Sequence, residues 1–120
     1  MIKCIALLKR KPDLTREQFI EYYEKNHAPL ILSLLPDIIE YRRNFFQEEG
    51  AFTAANGTAS DVDVVTEICL KDKEAHQRFL ARSAEPDVAA RIAADEENFL
   101  DRGATRMFVV DVHASKVEPA

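Results

Sequence analysis

Residues 15–35, TREQFIEYYEKNHAPLILSLL, decide how the chain folds. Thr15 is a good N-cap and Gln18 stands three residues on, so the two form a capping box. Leu14 before it and Phe19 after it can close a hydrophobic staple. The helix then lays Phe19, Tyr22, Tyr23 and Asn26 or His27 along one side. His27 falls four residues after Tyr23, so its ring should turn towards the protein. Pro29 disfavours helical geometry at Ala28, so a break or kink is expected there. Pro29 also suits the first turn of a second short helix, LILSLL, that ends near Pro36. A helix stop needs no histidine, and an inward histidine at such a stop raises the question of a site.

Outward from this segment the pattern is regular. Residues 2–9, IKCIALLK, read as a strand that is apolar on both faces at its centre, with Cys4, Ala6 and Leu8 on one and Ile5 and Leu7 on the other. Residues 38–47 read as a second strand, with Tyr41, Arg43 and Phe45 on one face. The stretch 48–60, EEGAFTAANGTAS, is small and polar and reads as a loop. Residues 61–70, DVDVVTEICL, are β-branched and form a third strand. Asp72 can cap a helix over KEAHQRFLAR, and Pro86 can start another that carries Val88, Ile92, Asp95 or Glu96, and Phe99 inward and ends at Gly103. Residues 105–113, TRMFVVDVH, are the last strand, and residues 114–120 read as a loose tail.

The order β-α-β-β-α-β is the split βαβ, ferredoxin-like pattern. It predicts an α+β domain over residues 1–113, with a four-stranded antiparallel sheet and helices on one face. The first strand is apolar on both faces, and the last offers Met107 and Val109 on one side and Phe108, Val110 and Val112 on the other, so a bare sheet face would be a patch large enough to call for a cover. A second copy is the simplest one, so a homodimer is expected, sheet against sheet, as a dimeric α+β barrel.

Composition excludes several classes. The net charge is −5 and the longest basic run is Lys9-Arg10-Lys11, so no nucleic-acid stripe is expected. No apolar run is long enough to span a bilayer and no secretory h-region is recognisable, which makes a cytoplasmic location the expectation. Cys4 and Cys69 lie in apolar strands and read as free buried thiols. Scattered histidines without Cys-x-x-Cys or His-x-x-x-His spacing give no metal site, and Asn56-Gly57-Thr58 reads as a turn rather than a glycosylation site. No phosphate loop, dinucleotide fingerprint or nucleophile elbow occurs, so no cofactor is expected.

KRKPDLTREQFIEYYEKNHAPLI (9–31), Pro36, Tyr41 and DEENFLD (95–101) together resemble the EthD family of small dimeric α+β-barrel proteins. The shared features are a basic strand end, a Phe-x-x-Tyr helix, a His-Ala-Pro-Leu stop and an acidic pair ahead of a Phe in the last helix. The family takes its name from a gene cluster that degrades a fuel ether through a cytochrome P450. Fungal relatives act in aromatic polyketide pathways, some as dehydratases. Wider relatives on the fold include cyclases, lactone isomerases, monooxygenases and haem proteins. The resemblance implies a fold and a ligand pocket, not one reaction.

His27 is the first candidate catalytic residue, because histidine gives and takes protons near neutral pH. Tyr41 and Arg43 would orient or polarise a carbonyl or phenolate oxygen beside it, or else sit as a core phenol and a surface-paired cation. Asp95 lies close to an apolar stripe, which is costly without a partner. It would hold a histidine in one tautomer, act as a second acid or base, or pair with Arg91 or Arg102. Tyr22, Tyr23, Leu30 and Phe99 are the expected walls of the ligand site. Asp111 and His113 would sit near the dimer rim or else contact a ligand, and His76 is assigned to solvent. The functional expectation is a small-molecule-binding protein, most simply a cofactor-free enzyme doing acid/base chemistry on a small aromatic or carbonyl compound: dehydration, cyclisation, isomerisation or oxidation. The alternatives are a non-catalytic carrier for a partner oxygenase and a haem-binding barrel.

Overall fold

Thr15 does form the capping box. In the computed structural model, which describes residues 1–119, its hydroxyl accepts from the Gln18 N–H at 3.1 Å while its own N–H donates to Gln18 Oε1 at 2.9 Å. Strand β1 (Ile2–Leu8) precedes it, and helix α1 runs Arg16–Tyr22. The expected break at Ala28 does not occur. The backbone passes through a π-helical turn, Tyr23–His27, directly into α2, Ala28–Leu34. Ala28 keeps helical angles (φ −60°, ψ −47°) and its N–H reaches back to the Tyr23 carbonyl. The wider π turn is the physical reason. A proline ring clashes with the carbonyl four residues back in an ordinary helix, and a register of i→i+5 opens the space it needs.

Strands β2 (Ile38–Phe45) and β3 (Val64–Leu70) follow, then α3 (Lys73–Ser83), α4 (Pro86–Glu96), a 3₁₀ turn at Arg102–Ala104 and β4 (Arg106–Val110). Asp72 caps α3 by accepting from the Ala75 N–H at 2.8 Å. Helix α4 stops at Glu96, well short of Gly103. The chain must straighten there, because Leu100 bridges Arg10 and Lys11 N–H donates to the Phe99 carbonyl at 2.9 Å. The last strand is likewise shorter than expected, and Asp111 and His113 lie beyond it, exposed.

The four strands lie in the order β2-β3-β1-β4 with every neighbouring pair antiparallel. This is the ferredoxin-like arrangement, α+β. The register sets Cys4, Ala6 and Leu8 beside Ile68, Thr66 and Val64, all buried under the helices. A bulge in β2 between Ile38 and Glu40 puts both Ile38 and Tyr41 on that same side. Without the extra residue they would face opposite ways. The connection from β2 to β3 carries a tight turn, with Asn56 at φ 69° and the Gly57 N–H bonded to the Ala54 carbonyl.

The core divides into two clusters. One gathers Cys4, Ile31, Leu34, Leu35, Ile68, Leu70, Phe79 and Val88; the other gathers Ala6, Leu8, Phe19, Tyr23, Val64, Phe99 and Leu100. The open sheet face is mixed. Lys3 pairs with Glu67 at 2.9 Å and Asn44 joins Glu67 at 3.0 Å, while Ile5, Leu7, Val65 and Phe108 form an apolar half. Phe108 is 54% exposed. No helix among the described residues is long and apolar enough to cross a membrane.

Candidate active site

Between the two core clusters is a cavity of about 290 Å³. Its walls come from both: Ala6, Leu8 and Tyr23 from one, Ile31, Leu35, Ile68 and Phe79 from the other. Small residues keep it open. Ala6 on β1 and Ala89 and Ala93 on α4 stand where larger side chains would fill the space. Ser83, Glu96, Arg102 and Thr105 form a polar rim at helix ends and before β4.

His27 enters this cavity from the π turn and is 4% exposed. Its Nδ1 lies 2.7 Å from Asp95 Oδ2. An ionised carboxylate only accepts, so Nδ1 carries a proton, and in the neutral ring Nε2 keeps its lone pair. Nε2 has no protein partner among the described residues. Since none of their buried side-chain nitrogens or oxygens is left unpaired, Nε2 opens to the cavity. The other Asp95 oxygen accepts from the Tyr22 hydroxyl at 2.6 Å, and Asn98 Nδ2 donates to that hydroxyl at 2.8 Å. Burial and the neighbouring carboxylate hold the Tyr22 phenol above its ordinary pKa, so it stays a donor. The chain Asn98–Tyr22–Asp95–His27 thus aims the ring, as a carboxylate behind a histidine does in hydrolytic triads. Arg91 and Arg102 are not the partners of Asp95; Arg102 binds Glu96 and Glu97 instead.

A second polar group faces the same cavity. Tyr23 is 1% exposed, and its hydroxyl lies 2.6 Å from Thr66 Oγ1 and 3.4 Å from the Tyr41 hydroxyl. Burial pushes both phenols up, and each stays protonated. The Tyr23 ring meets the His27 ring edge-on, centroids 5.4 Å apart.

The structure brings His27, Asp95, Tyr22, Tyr23 and Tyr41 together, and leaves Arg43, Phe99 and Leu30 outside the cavity lining. Arg43 pairs with Glu24 through two bonds of 2.8 and 2.7 Å and stacks over the Tyr41 ring at 4.8 Å, outside the cavity lining. Phe99 is fully buried behind the site, 4.8 Å from the His27 ring, and supports it without lining it. Leu30 packs against the cluster of Ile31 and Leu34 and does not line the cavity. His76 stacks on Phe79 and is half-buried rather than free in solvent. Thr66, Asn98 and Glu24 were not among the expected site residues. Thr66 was readable as a polar side chain on the same face of the third strand as Val64 and Ile68; Asn98 carried no local signal. No group of three or more His, Cys, Asp or Glu residues among those described is placed to hold a metal ion.

The EthD domain family model matches residues 11–103. The chain belongs to the EthD family. A solved EthD-family protein from Bacillus halodurans C-125 superposes with a TM-score of 0.60 at 17% identity, covering 94% of this chain and all (100%) of that one. SnoaB, a cofactor-independent oxygenase from Streptomyces nogalater, gives 0.58 at 11% identity, covering 98% and 97%. A dimeric protein of unknown function and ferredoxin-like fold from Bacteroides fragilis gives 0.57 at 9% identity, covering 92% and 95%. At these identities the likenesses show the fold alone. A search of curated proteins finds no match to this sequence.

Proposed function

We propose that this EthD-family chain is a cofactor-free acid/base catalyst acting on a small aromatic or carbonyl compound held in the cavity. One observation carries the reading: a buried histidine whose Nδ1 is held by a carboxylate and whose Nε2 opens into a largely apolar cavity. In this reading Nε2 is the proton acceptor, Asp95 fixes the tautomer and steadies the imidazolium, and the hydroxyls of Tyr41 and Tyr23 face the developing oxygen charge. The largely apolar walls strengthen each of these interactions. A neighbour on the fold described as a cofactor-independent oxygenase is consistent with chemistry in which the ligand brings its own reactivity.

The test is a thermal-shift screen of small aromatic, quinone and lactone compounds on wild type and His27→Ala. A ligand bound to the folded state raises its melting temperature. Compounds that stabilise wild type and lose their effect in the variant support the reading. Compounds that stabilise both equally favour a carrier that needs only the cavity's shape. A flat panel with a less stable variant returns His27 to a structural role.

The assembly proposed with it is a homodimer through the open sheet face. The support is the apolar half of that face, Ile5, Leu7, Val65 and Phe108, and the dimeric description of the Bacteroides fragilis neighbour.

A further inference from the structure

The polar groups inside the cavity can be counted, and the count selects a ligand. Tyr23, Tyr41 and Thr66 all line it together with His27. Each hydroxyl carries one proton. The Tyr23–Thr66 contact at 2.6 Å uses one of the three, and the Tyr23–Tyr41 contact at 3.4 Å uses a second. Neither Tyr41 nor Thr66 has another side-chain partner among the described residues, so one O–H is left to donate into the cavity. The 3.4 Å contact is the loose link, which makes Tyr41 the hydroxyl most readily turned to a ligand. His27 is the complement. In the neutral ring its one proton goes to Asp95, and Nε2 offers a lone pair. Behind the rim the cavity therefore presents one acceptor and one donor on apolar walls.

Resting on the reading of His27 as the base, we infer that the ligand class is a neutral enolisable ketone, 1,3-dicarbonyl or phenol, with its oxygen on the Tyr41–Tyr23–Thr66 hydroxyls and its acidic C–H or O–H at His27 Nε2. Such a molecule meets both polar groups at once. A carboxylate can accept from the O–H but does not meet the base. It has no proton to give Nε2, it carries a full charge onto apolar walls, and it faces the lone pair of an imidazole already backed by Asp95. For a ketone the step is balanced without an oxidant. Nε2 takes the proton from the carbon next to the carbonyl, the C–H electron pair becomes the C=C bond, and the carbonyl π pair moves onto the oxygen, where the free O–H holds it. The imidazolium then returns a proton to carbon or to oxygen.

The experiment is deuterium uptake from D₂O into 2-tetralone, followed by proton NMR, with wild type, His27→Gln, Tyr41→Phe and Tyr23→Phe. Wild type should exchange the ketone's α-protons faster than buffer, and His27→Gln should fall to the buffer rate. At least one Tyr→Phe variant should lose about a hundredfold, the usual effect of removing one preorganised donor. Full rates in both phenylalanine variants with a silent His27→Gln would overturn the ligand assignment and leave the base standing. Exchange retained in His27→Gln would overturn the base itself. No exchange in wild type would overturn both. An independent reading needs no variant: 2-naphthol should bind wild type at least about ten times more tightly than naphthalene-2-carboxylate, about 1.4 kcal/mol. Equal or reversed affinity would contradict the assignment.

Discussion

At His27 the two ring nitrogens have different duties because only one of them has a carboxylate in front of it. Replacing Asp95 by Asn keeps the size but puts an amide there, which can donate to Nδ1 and turn the lone pair away from the cavity. On the proposed function, turnover should fall by at least about tenfold to a hundredfold in Asp95→Asn, and by about 10²–10⁴ in His27→Gln, measured as kcat on whichever ligand the screen returns. Tyr22→Phe removes the second bond to Asp95 while leaving the ring that packs at 5.2 Å from Phe99. It should cost about 1 kcal/mol in urea unfolding, and it should lower kcat more than it raises KM if the relay orients the base. Equal stability and unchanged kcat would remove Tyr22 from the relay.

Among the elements, the capping box invites a simple test. Thr15→Ala should lower stability by about 1 kcal/mol by denaturant unfolding, with no change in ligand affinity. The ion pair between α1's continuation and β2 has a pH signature. Arg43 holds the Glu24 carboxyl below its usual range, chiefly through the two hydrogen bonds. The stabilisation is therefore complete above the ordinary glutamate range, about pH 4.3, and is lost as pH falls through the lowered value in the folded state. Arg43→Met should flatten the acid limb of the curve of melting temperature against pH; an unchanged limb would mean that the pair contributes nothing.

How much of this was legible follows from which forces are local. The capping box and the Asp72 cap are set by neighbours a turn apart and stand as read, as does the α4 stripe from Val88 to Asp95; Phe99 falls beyond the helix. The π turn was missed because proline's clash was taken to end a helix, whereas a one-residue change of register also relieves it. The β2 bulge at Ile38–Glu40 answers to the packing of β3, not to its own residues. The same limit holds at the site. His27, Asp95, Tyr41, Tyr22 and Tyr23 were nameable from residue type and facing, but that Asp95 meets His27 and Tyr22 rather than an arginine depends on how α4 crosses the π turn.

For the whole molecule, the split core has a consequence for stability and binding together. Ala93→Leu should fill part of the cavity, keep stability within about 2 kcal/mol of wild type, and abolish ligand-induced thermal shifts; shifts that persist would place the ligand elsewhere. The open face makes a separate prediction. Wild type should elute and scatter light as a dimer, and Phe108→Lys should drive it to monomer with an unchanged circular dichroism spectrum, because a charge would sit where Ile5 and Phe108 pair across β1 and β4. A monomeric wild type would contradict the proposed assembly without touching the cavity.

The most direct measurement is the long-range ¹H–¹⁵N NMR spectrum of the His27 ring in mildly alkaline buffer, with and without 2-naphthol. A proton on Nδ1, a bare Nε2, and a shift of the Nε2 resonance when the ligand binds are the expected result. A proton on Nε2, or an Nε2 signal indifferent to a ligand that binds, would contradict the claim that this histidine faces its ligand as a base.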